Sequence, residues 1–281
     1  MRLDKFLKVS RLIKRRTVAN EACDAGRVLV NGNVAKASVK VKPGDIIEIQ
    51  FGVKTVKVEV VDIQETPKNP ITLMGQRAGV CWGANIEDME KNYARGIDCI
   101  KSGHHRVMEY VNIEMILDGY SARVIREWYT HIGGAPTRLQ ASTRYINYKD
   151  FSYVIPPTVE KNEEARKIYV ETMEAITKAC SKLEADCGVP REDAAMLLPL
   201  GMSTKIVDKR NVRNLIEMSH QRLCTRAYWE YRQLMKDIMD ALRSYSEEWA
   251  YLVDNYFVPK CEVAGYCTEK KCCGRRPYKE V

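Results

Sequence analysis

The chain has 281 residues and a mass of 32.2 kDa, which suits one large domain or two smaller ones. Its composition, 45% hydrophobic and 29% charged, is that of a globular protein with a buried core. The apolar runs are far shorter than the ~20 residues of a membrane span, and the basic N-terminus lacks the apolar stretch of a signal peptide. We therefore expect a cytoplasmic protein with no membrane partner.

Positive charge is concentrated at the front of the chain. The whole sequence has 45 Lys and Arg against 37 Asp and Glu, a net charge of +8. Residues 1–42 hold 11 basic and 3 acidic residues and so carry the entire excess. A basic segment joined to a neutral body indicates two modules with different partners, since a merely solvated helix face is expected to carry both signs.

The front module is predicted to contain two helices and a small sheet. Apolar residues at helical spacing predict the first helix: Leu3, Phe6, Leu7, Leu12 and Ile13. A second helix is predicted from Thr17, a candidate N-cap, to a stop at Gly26. Asn31-Gly32 predicts a tight turn between two strands, because such turns require positive φ angles. Another turn at 43–45 leads into a strand that begins at Ile46.

This module resembles the alpha-L type RNA-binding domain, named from ribosomal protein S-four, and in particular the small tRNA-stabilising factors of bacterial ribosome quality control. The likeness rests on three segments in the family's order: RLDKFLKVSRLIKRRT, GRVLVNGNVAKAS and VKPGDIIEI. It implies binding of rRNA or tRNA through cations that contact phosphates. The candidate contacts are Arg11, Lys14, Arg15, Arg16 and Lys36. The alternative is a basic face that only keeps the module in solution.

The body is predicted to be α+β with helices predominating. Two strands are predicted, at Ile71–Met74 and at 107–117. The predicted helices are 87–102, 120–131, 158–186, a short one from Pro190 to Leu198, and a long one from Asn211 to about Tyr245. Neither G-x-G-x-x-G nor a P-loop occurs in the sequence, and no serine or cysteine stands in the setting of a known nucleophile.

Two stretches of the body concentrate groups that bind anions. Residues 126–148 combine three arginines, His131, the pair Gly133-Gly134 and several hydroxyls. Glycines allow a ligand to approach the backbone, and the guanidinium fork suits phosphate and carboxylate. Residues 211–222 place asparagines and a terminal arginine on successive helical turns. Ordinary surface arginines are the alternative for both stretches.

At these residues the body resembles the flavin-dependent thymidylate synthases. Six segments occur in the family's order: GQRAGVCW, KSGHHRVMEYVNIEMIL, REWYTHI, ASTRYI, GVPREDAAMLLPL and NVRNLIEMSHQRLCTRAYWEYRQ. The resemblance implies reductive methylation of dUMP to dTMP, with methylenetetrahydrofolate as carbon donor, NADPH as reductant and FAD as the electron relay. It also implies a homotetramer whose sites are shared between chains.

The resemblance assigns residues to the site. Arg222 matches the catalytic arginine that binds dUMP and favours ionisation of the uracil N3, a role that suits a fixed cation. The residues expected at the substrate are Arg126, Glu127, Trp128, Gln140, Ser142, Thr143 and Arg144. Those expected at the flavin are Thr130, His131, Ile132, Asn211, Arg213 and Glu217.

The sequence departs from the family pattern near these positions. Thr130 and Ile132 stand where the flavin signature has arginines on both sides of the histidine, and the following loop is longer. Ala195 stands where the family has a further phosphate arginine. Each lost cation weakens binding by about 1–3 kcal/mol unless another replaces it. The inserted residues could bring Arg138 into such a position, and the retained cations favour an active enzyme.

Ten cysteines without an export signal favour thiols or metal over disulfides. Four of them lie near the C-terminus: Cys261, Cys267, Cys272 and Cys273. Four thiols suit a structural zinc site, although their spacing lacks C-x-x-C. The alternative is a thiol-rich surface tail.

We therefore expect four segments: an RNA-binding domain over 1–66, a linker over 67–70, a thymidylate synthase-like domain over 71–258 and a cysteine-rich tail over 259–281. The first hypothesis for function is an enzyme with an appended RNA-binding module. The second is a ribosome-associated quality-control factor whose body is a non-catalytic scaffold. The third is a pair of joined reading frames whose halves share no function. Bound flavin and dUMP discriminate the first two.

Overall fold

The protein divides into two compact units, Met1–Asp62 and Ile63–Val281. The structure is a computed structural model that describes residues 2–9, 13, 15–41, 45–51, 54–59, 62–63, 65–148 and 150–279. Within these residues, no helix is both long and apolar enough to cross a membrane. The division falls a few residues before the expected linker at 67–70, so each unit is described by itself.

The first unit consists of two helices and a four-stranded antiparallel sheet, as the sequence predicts. Its elements are α1 (Leu3–Val9), α2 (Arg16–Asp24), β1 (Val28–Val30), β2 (Asn33–Val34), β3 (Ile46–Phe51) and β4 (Lys54–Glu59), with strand order β2-β1-β3-β4. Asn31 and Gly32 have φ angles of 53° and 78°, which confirms the tight turn. Helix α2 starts at Arg16, so Thr17 lies inside the helix and is not its cap. The predicted turn at 43–45 falls mostly outside the described residues.

The second unit is an α+β domain, which confirms the predicted fold class. Its strands are β5 (Asp62–Ile63), β6 (Asn112–Ser121), β7 (Thr137–Gln140) and β8 (Ser203–Asn211), in sheet order β5-β6-β8-β7. Its helices are α3 (Pro70–Cys81), α4 (Met89–Lys101), α5 (Ala122–Trp128), α6 (Pro157–Glu160), α7 (Glu163–Ala185), α8 (Arg191–Ala194), α9 (Val212–Arg222), α10 (Trp229–Tyr245), α11 (Glu247–Tyr256) and α12 (Lys260–Ala264). Short 3-10 helices cover His105–Tyr110 and Ala195–Leu197.

The predicted edge strand at Ile71–Met74 is wrong, because these residues belong to helix α3. Pro70 occupies the first turn, where its missing N–H costs nothing. The free amides of Ile71 and Thr72 donate to the Glu248 carboxylate at 2.7 and 3.0 Å. The helix is therefore stabilised at its N-terminus by a residue that is distant in the sequence, and short-range periodicity could not show this partner.

The expected linker is bonded into the second unit. Tyr245 donates to the carbonyl of Thr66 at 2.9 Å, and Trp249 donates to the carbonyl of Pro67 at 2.7 Å. The Ser246 hydroxyl reaches the next carbonyl, that of Lys68. In an exposed linker these backbone carbonyls would bond to water. Here they accept hydrogen bonds from side chains at the α10–α11 junction, so residues 66–68 are attached to the second unit.

Strand β8 is absent from the sequence prediction, and the helix predicted from Asn211 to about Tyr245 is two helices. The inward face of β8 carries Thr204, Ile206, Asp208 and Arg210, all buried. Buried polar residues at alternate positions hide the apolar alternation that marks a strand. Asn211 then ends β8 and caps α9, since its Oδ1 accepts the amide of Asn214 at 2.9 Å.

Replacement of Gly75 by alanine is expected to destabilise the body. A Cβ at this position would lie 1.8 Å from the backbone oxygen of Asn92 on α4, so the helices must separate. Overpacking of this kind costs about 1–3 kcal/mol. Gly79→Ala is the control, because the nearest atom is the flexible tip of Arg95 at 2.5 Å. Denaturant unfolding checks the prediction, and an unchanged midpoint for Gly75→Ala would contradict it.

Candidate active site and RNA-binding surface

A buried ion pair lies beneath the candidate active site. Arg210 donates through Nε and Nη2 to the two carboxylate oxygens of Asp208, at 2.6 and 2.7 Å, and neither side chain is exposed. Trp128 Nε1 also donates to Asp208, at 2.8 Å, and the Arg210 guanidinium lies over the Trp128 ring at 4.2 Å. Arg210 reaches Asn214 as well, at 2.7 Å. These bonds connect β8 with both α5 and α9 and fix their mutual orientation.

A second buried carboxylate fixes the start of α5. Glu230 accepts hydrogen bonds from the amide and hydroxyl of Ser121 at 2.6 and 2.5 Å. The same hydroxyl caps α5 by accepting the amide of Val124 at 3.2 Å. Burial raises the pKa of Glu230, and the bonds from Ser121 oppose that effect. Helix α5 is thus held at both ends, which positions the residues that follow it.

Four side chains from α5, the loop after it, α9 and α10 meet above this framework; we call Glu127, His131, Arg222 and Tyr231 the Arg222 cluster. Arg222 Nε donates to His131 Nε2 at 3.1 Å, and its Nη1 lies 3.3 Å from a Glu127 carboxylate oxygen. The guanidinium stacks over the Tyr231 ring at 4.4 Å. Because three different groups hold it, the Arg222 cation has a fixed position before any ligand binds.

The electrostatics of the cluster keep His131 neutral. Burial is the main cause, and the charges of Arg222 and Arg210 add to it, so that the pKa of His131 is lowered to about 4. The neutral ring can accept the Arg222 hydrogen bond through Nε2, as the distance requires. Burial also raises the pKa of Tyr231, whose hydroxyl has no hydrogen-bond partner among the described residues. Tyr231 lies within the recognised segment 211–233, but the sequence analysis assigned it no role.

The inserted loop packs against the N-terminus of α9. A Cβ on Gly134 would lie 2.2 Å from Asn211 Nδ2, and one on Gly133 would lie 2.8 Å from Asn214 Nδ2. Gly134 and Ala135 also have positive φ angles, 72° and 51°. Glycine is therefore required at 134 by both space and conformation. The exposed backbone of the loop therefore packs against the buried side chains of Asn211 and Asn214.

Other residues expected at the site lie outside the Arg222 cluster. Trp128 is fully buried and donates to Asp208, which positions α5 on β8. Its expected substrate contact stays a prediction. Arg144 is exposed and pairs with Glu192 at 2.8 Å, while its amide contacts Ser142. Arg213 pairs with Glu109 at 2.6 Å and with Glu217 at 3.1 Å, outside the cluster.

Several expected residues lie around the edge of the site. Thr130 donates to the carbonyl of Glu127 at 2.7 Å, and Ile132 is 71% exposed. Gln140 ends β7 and lies 3.4 Å from the hydroxyl of Thr204. Arg126 and Thr143 lie on the outer side of α5 and in the turn after β7. The structure thus brings together the expected Glu127, His131 and Arg222.

The zinc site expected from Cys261, Cys267, Cys272 and Cys273 is not formed. Among the residues that the structure describes, no group of three or more His, Cys, Asp or Glu side chains is arranged to hold a metal ion. The Cys272 thiol is used locally instead: it donates to the Arg276 carbonyl at 3.3 Å and accepts the Gly274 amide at 3.4 Å. The short tail closes through these turn contacts.

The first unit presents a pair of arginines on one buried carboxylate. Arg2 Nε and Arg16 Nε donate to the two oxygens of Asp4, at 3.1 and 2.8 Å. Asp4 is 1% exposed and each arginine is 52% exposed. Burial alone would raise the pKa of Asp4, but the bonds from both arginines outweigh it, and the pKa is lowered. Arg2 and Asp4 therefore join the candidates found from sequence.

The remaining RNA candidates are three residues between Arg2 and Arg16, together with Lys36. Arg15 and Lys36 are exposed, while Arg11 and Lys14 lie outside the described residues. A carboxylate that holds two guanidinium groups at the surface leaves their outer donors available to phosphate oxygens. The geometry therefore suits an anionic partner for this face.

Comparison with known proteins gives two matches along the chain. The family model described as thymidylate synthase complementing protein matches residues 62–246, and the S4 domain model matches residues 1–47. A flavin-dependent thymidylate synthase from Clostridium tetani is 28% identical over 245 residues, which are 79% of this chain and 95% of that protein. An RQC P-site tRNA stabilizing factor from Halalkalibacterium halodurans is 65% identical over 66 residues, which are 24% of this chain and 75% of that protein.

A solved structure shows the same fold for the body. It is a flavin-dependent thymidylate synthase from Helicobacter pylori in complex with FAD and dUMP, with a TM-score of 0.55 and 19% sequence identity. The match covers 70% of this chain and 98% of that one. At this identity the likeness concerns the fold alone.

The neutrality of His131 can be measured directly. We expect its imidazole to titrate at about 4, against about 6.5 for an unperturbed histidine. Because folding lowers the pKa of His131, the folded state favours the neutral ring. The free energy of unfolding is therefore unaffected above the unfolded-state pKa of about 6.5 and decreases as the pH falls from there towards about 4. NMR titration, with His131→Asn to assign the signal, checks this. In Arg222→Gln the pKa should rise only in part, since burial remains; a wild-type midpoint near the unperturbed value would contradict the prediction.

Proposed function

The chain belongs to the thymidylate synthase complementing protein family, and on that premise we propose that its body converts dUMP to dTMP. The observation that carries the proposal is the preorganised Arg222 cation in its cluster with His131 and Glu127. A fixed cation in a partly enclosed site stabilises negative charge that develops on a pyrimidine ring. Methylenetetrahydrofolate is the proposed carbon donor and NADPH the proposed reductant.

The described residues fit a flavin nucleotide. The exposed Gly133-Gly134 backbone, which packs against the buried side chains of Asn211 and Asn214, allows a ligand to approach closely. The Arg222 guanidinium beside it supplies hydrogen-bond donors. Ile132 and Leu139, 71% and 73% exposed, offer apolar area to a planar ring system. When bound, FAD supplies the electron transfer that amino-acid side chains cannot provide.

The residues of the chain have distinct roles in this proposal. Arg222 binds the pyrimidine and favours loss of its N3 proton, because the cation stabilises the anion that results. Neutral His131 orients Arg222 without cancelling its charge, while Glu127 holds the other edge of the guanidinium. The loop from Ser142 to Arg144 binds the substrate phosphate once Arg144 leaves Glu192.

We propose that the first unit binds rRNA or tRNA in the cytoplasm. The S4 domain match and the Asp4-centred pair of Arg2 and Arg16 support this proposal. Cations held at fixed spacing on a compact fold recognise RNA through its backbone shape. A ribosome-associated factor with a non-catalytic body is the second candidate function, favoured by the 65% identity of its front segment to a tRNA stabilizing factor.

We propose a homotetramer for the whole protein. Large apolar side chains close together in the sequence support an interface between copies; Met196, Leu197 and Leu200 are 85%, 44% and 51% exposed. Contiguous exposed apolar area marks interaction surfaces between proteins. Light scattering after size exclusion measures the assembly.

The enzyme proposal is tested with purified protein, FAD and dUMP. We expect bound flavin after removal of excess FAD, a change in its absorbance spectrum on addition of dUMP, and dTMP formation with NADPH and methylenetetrahydrofolate. Arg222→Gln should lower kcat by roughly 10²–10³, as removal of a transition-state donor does. Arg243→Gln is the control, since Arg243 pairs with Asp240 and Asp254 at the surface. A wild-type protein that binds no flavin would contradict the enzyme proposal and favour the second candidate function, a ribosome-associated factor with a non-catalytic body.

The RNA proposal is tested by titration of a labelled tRNA or rRNA fragment at several salt concentrations. Arg16→Gln should weaken binding and reduce the salt dependence by about one released counterion. Asp4→Asn should also weaken binding, because both arginines lose their anchor. Arg27→Gln is the matched control for an exposed cation without such an anchor. Equal affinities of the wild type and Arg16→Gln would be the contradicting result.

A further inference from the structure

Arg138 is a cation near the Arg222 cluster that is fixed in place but has no acidic partner. Its Nη1 donates to the carbonyl of Tyr129 at 2.9 Å, and its guanidinium lies over the Tyr129 ring at 4.5 Å. No carboxylate of the described ranges forms an ion pair with it, whereas Arg222 and Arg144 each pair with a glutamate. Its positive charge is therefore uncompensated within the part of the chain that the structure describes.

The fold explains how Arg138 reaches this position. The positive φ angles of Gly134 and Ala135, 72° and 51°, reverse the chain after His131. Strand β7 then runs along β8, and Arg138 stands opposite Asp208 in the register. Asp208 does not neutralise it, because its oxygens already accept bonds from Arg210 and Trp128.

The stacked geometry leaves the edge of the guanidinium for a ligand. An arginine that lies flat on an aromatic ring keeps its in-plane N–H donors available, and little side-chain entropy is lost when they bind. The bond to the Tyr129 carbonyl uses Nη1, so Nε and Nη2 remain without a partner among the described residues. This arrangement suits the oxygens of a phosphate group. The two residues beside His131, Thr130 and Ile132, supply no charge of their own.

We propose that Arg138 binds a phosphate group of the nucleotide held at this site. The proposal rests on the proposed function and adds a binding residue to it. Two ligands carry the required chemistry: FAD through its diphosphate and dUMP through its monophosphate. Arg138 donates to the carbonyl of Tyr129, two residues before His131, whereas Arg144 pairs with Glu192, so the two arginines have different partners.

The experiment compares the affinities of three ligands. FAD, riboflavin and dUMP are titrated into the wild-type protein, Arg138→Gln and Arg138→Lys, with flavin fluorescence and calorimetry as readouts. We expect the Kd of FAD or of dUMP to rise on the order of tenfold in Arg138→Gln, the loss of one charge-assisted contact. Riboflavin, which has no phosphate, should bind the wild type and Arg138→Gln with equal affinity. Arg138→Lys should recover part of the loss, since it keeps the charge without the fork.

Arg123→Gln is the matched control, because Arg123 also stacks on a tyrosine, Tyr228, at 4.7 Å. Its affinities for all three ligands should equal those of the wild type. Equal binding of FAD and dUMP by Arg138→Gln and the wild type would overturn the inference and leave the proposed function standing. A wild type that binds neither ligand overturns both. An equal loss of riboflavin and FAD in both Arg138 variants would mean a structural role, and would overturn the phosphate contact.

Discussion

The buried pair of Asp208 and Arg210 is the constraint on which the candidate site depends. Two charges removed from water are tolerated only when their hydrogen bonds are satisfied, and here both carboxylate oxygens have donors. Those donors come from α5 and β8, and Arg210 extends the network to α9. Removal of one member would leave a buried charge unpaired, so the three elements that form the site keep a single arrangement.

The charge state of the Arg222 cluster above this pair is set by burial and by the two arginines beside His131. His131 is neutral because it is buried beside two arginines, and neutrality lets it accept the hydrogen bond that orients Arg222. The glycine pair in the following loop packs against Asn211 and Asn214, and Asn211 also caps α9 by accepting the backbone amide of Asn214. Loop, helix terminus and cation are therefore coupled, and a change in one alters the surface offered to a nucleotide.

The front unit also contains a carboxylate that holds arginines in place. Asp4 is buried and holds Arg2 and Arg16 at the surface, so a carboxylate at the edge of the core sets the spacing of two exposed cations. In both units an acidic group orients arginines: Asp4 holds Arg2 and Arg16, and Glu127 holds Arg222. The chain thus joins a domain of the thymidylate synthase complementing protein family to a segment that matches the S4 domain model.

The sequence by itself determined the two-module organisation and the α+β class, because charge distribution, local periodicity and ordered motifs are encoded over short distances. It also singled out Glu127, His131 and Arg222, which the structure places in contact. Helix α3, strand β8 and the division before residue 66 were decided by tertiary structure. Glu248 holds the start of α3 from the far end of the chain, and buried Asp208 and Arg210 replace apolar residues on β8. Tyr231 and the stacked Arg138 acquire their roles only through contacts between distant segments. Such contacts depend on packing in three dimensions, which no local pattern specifies.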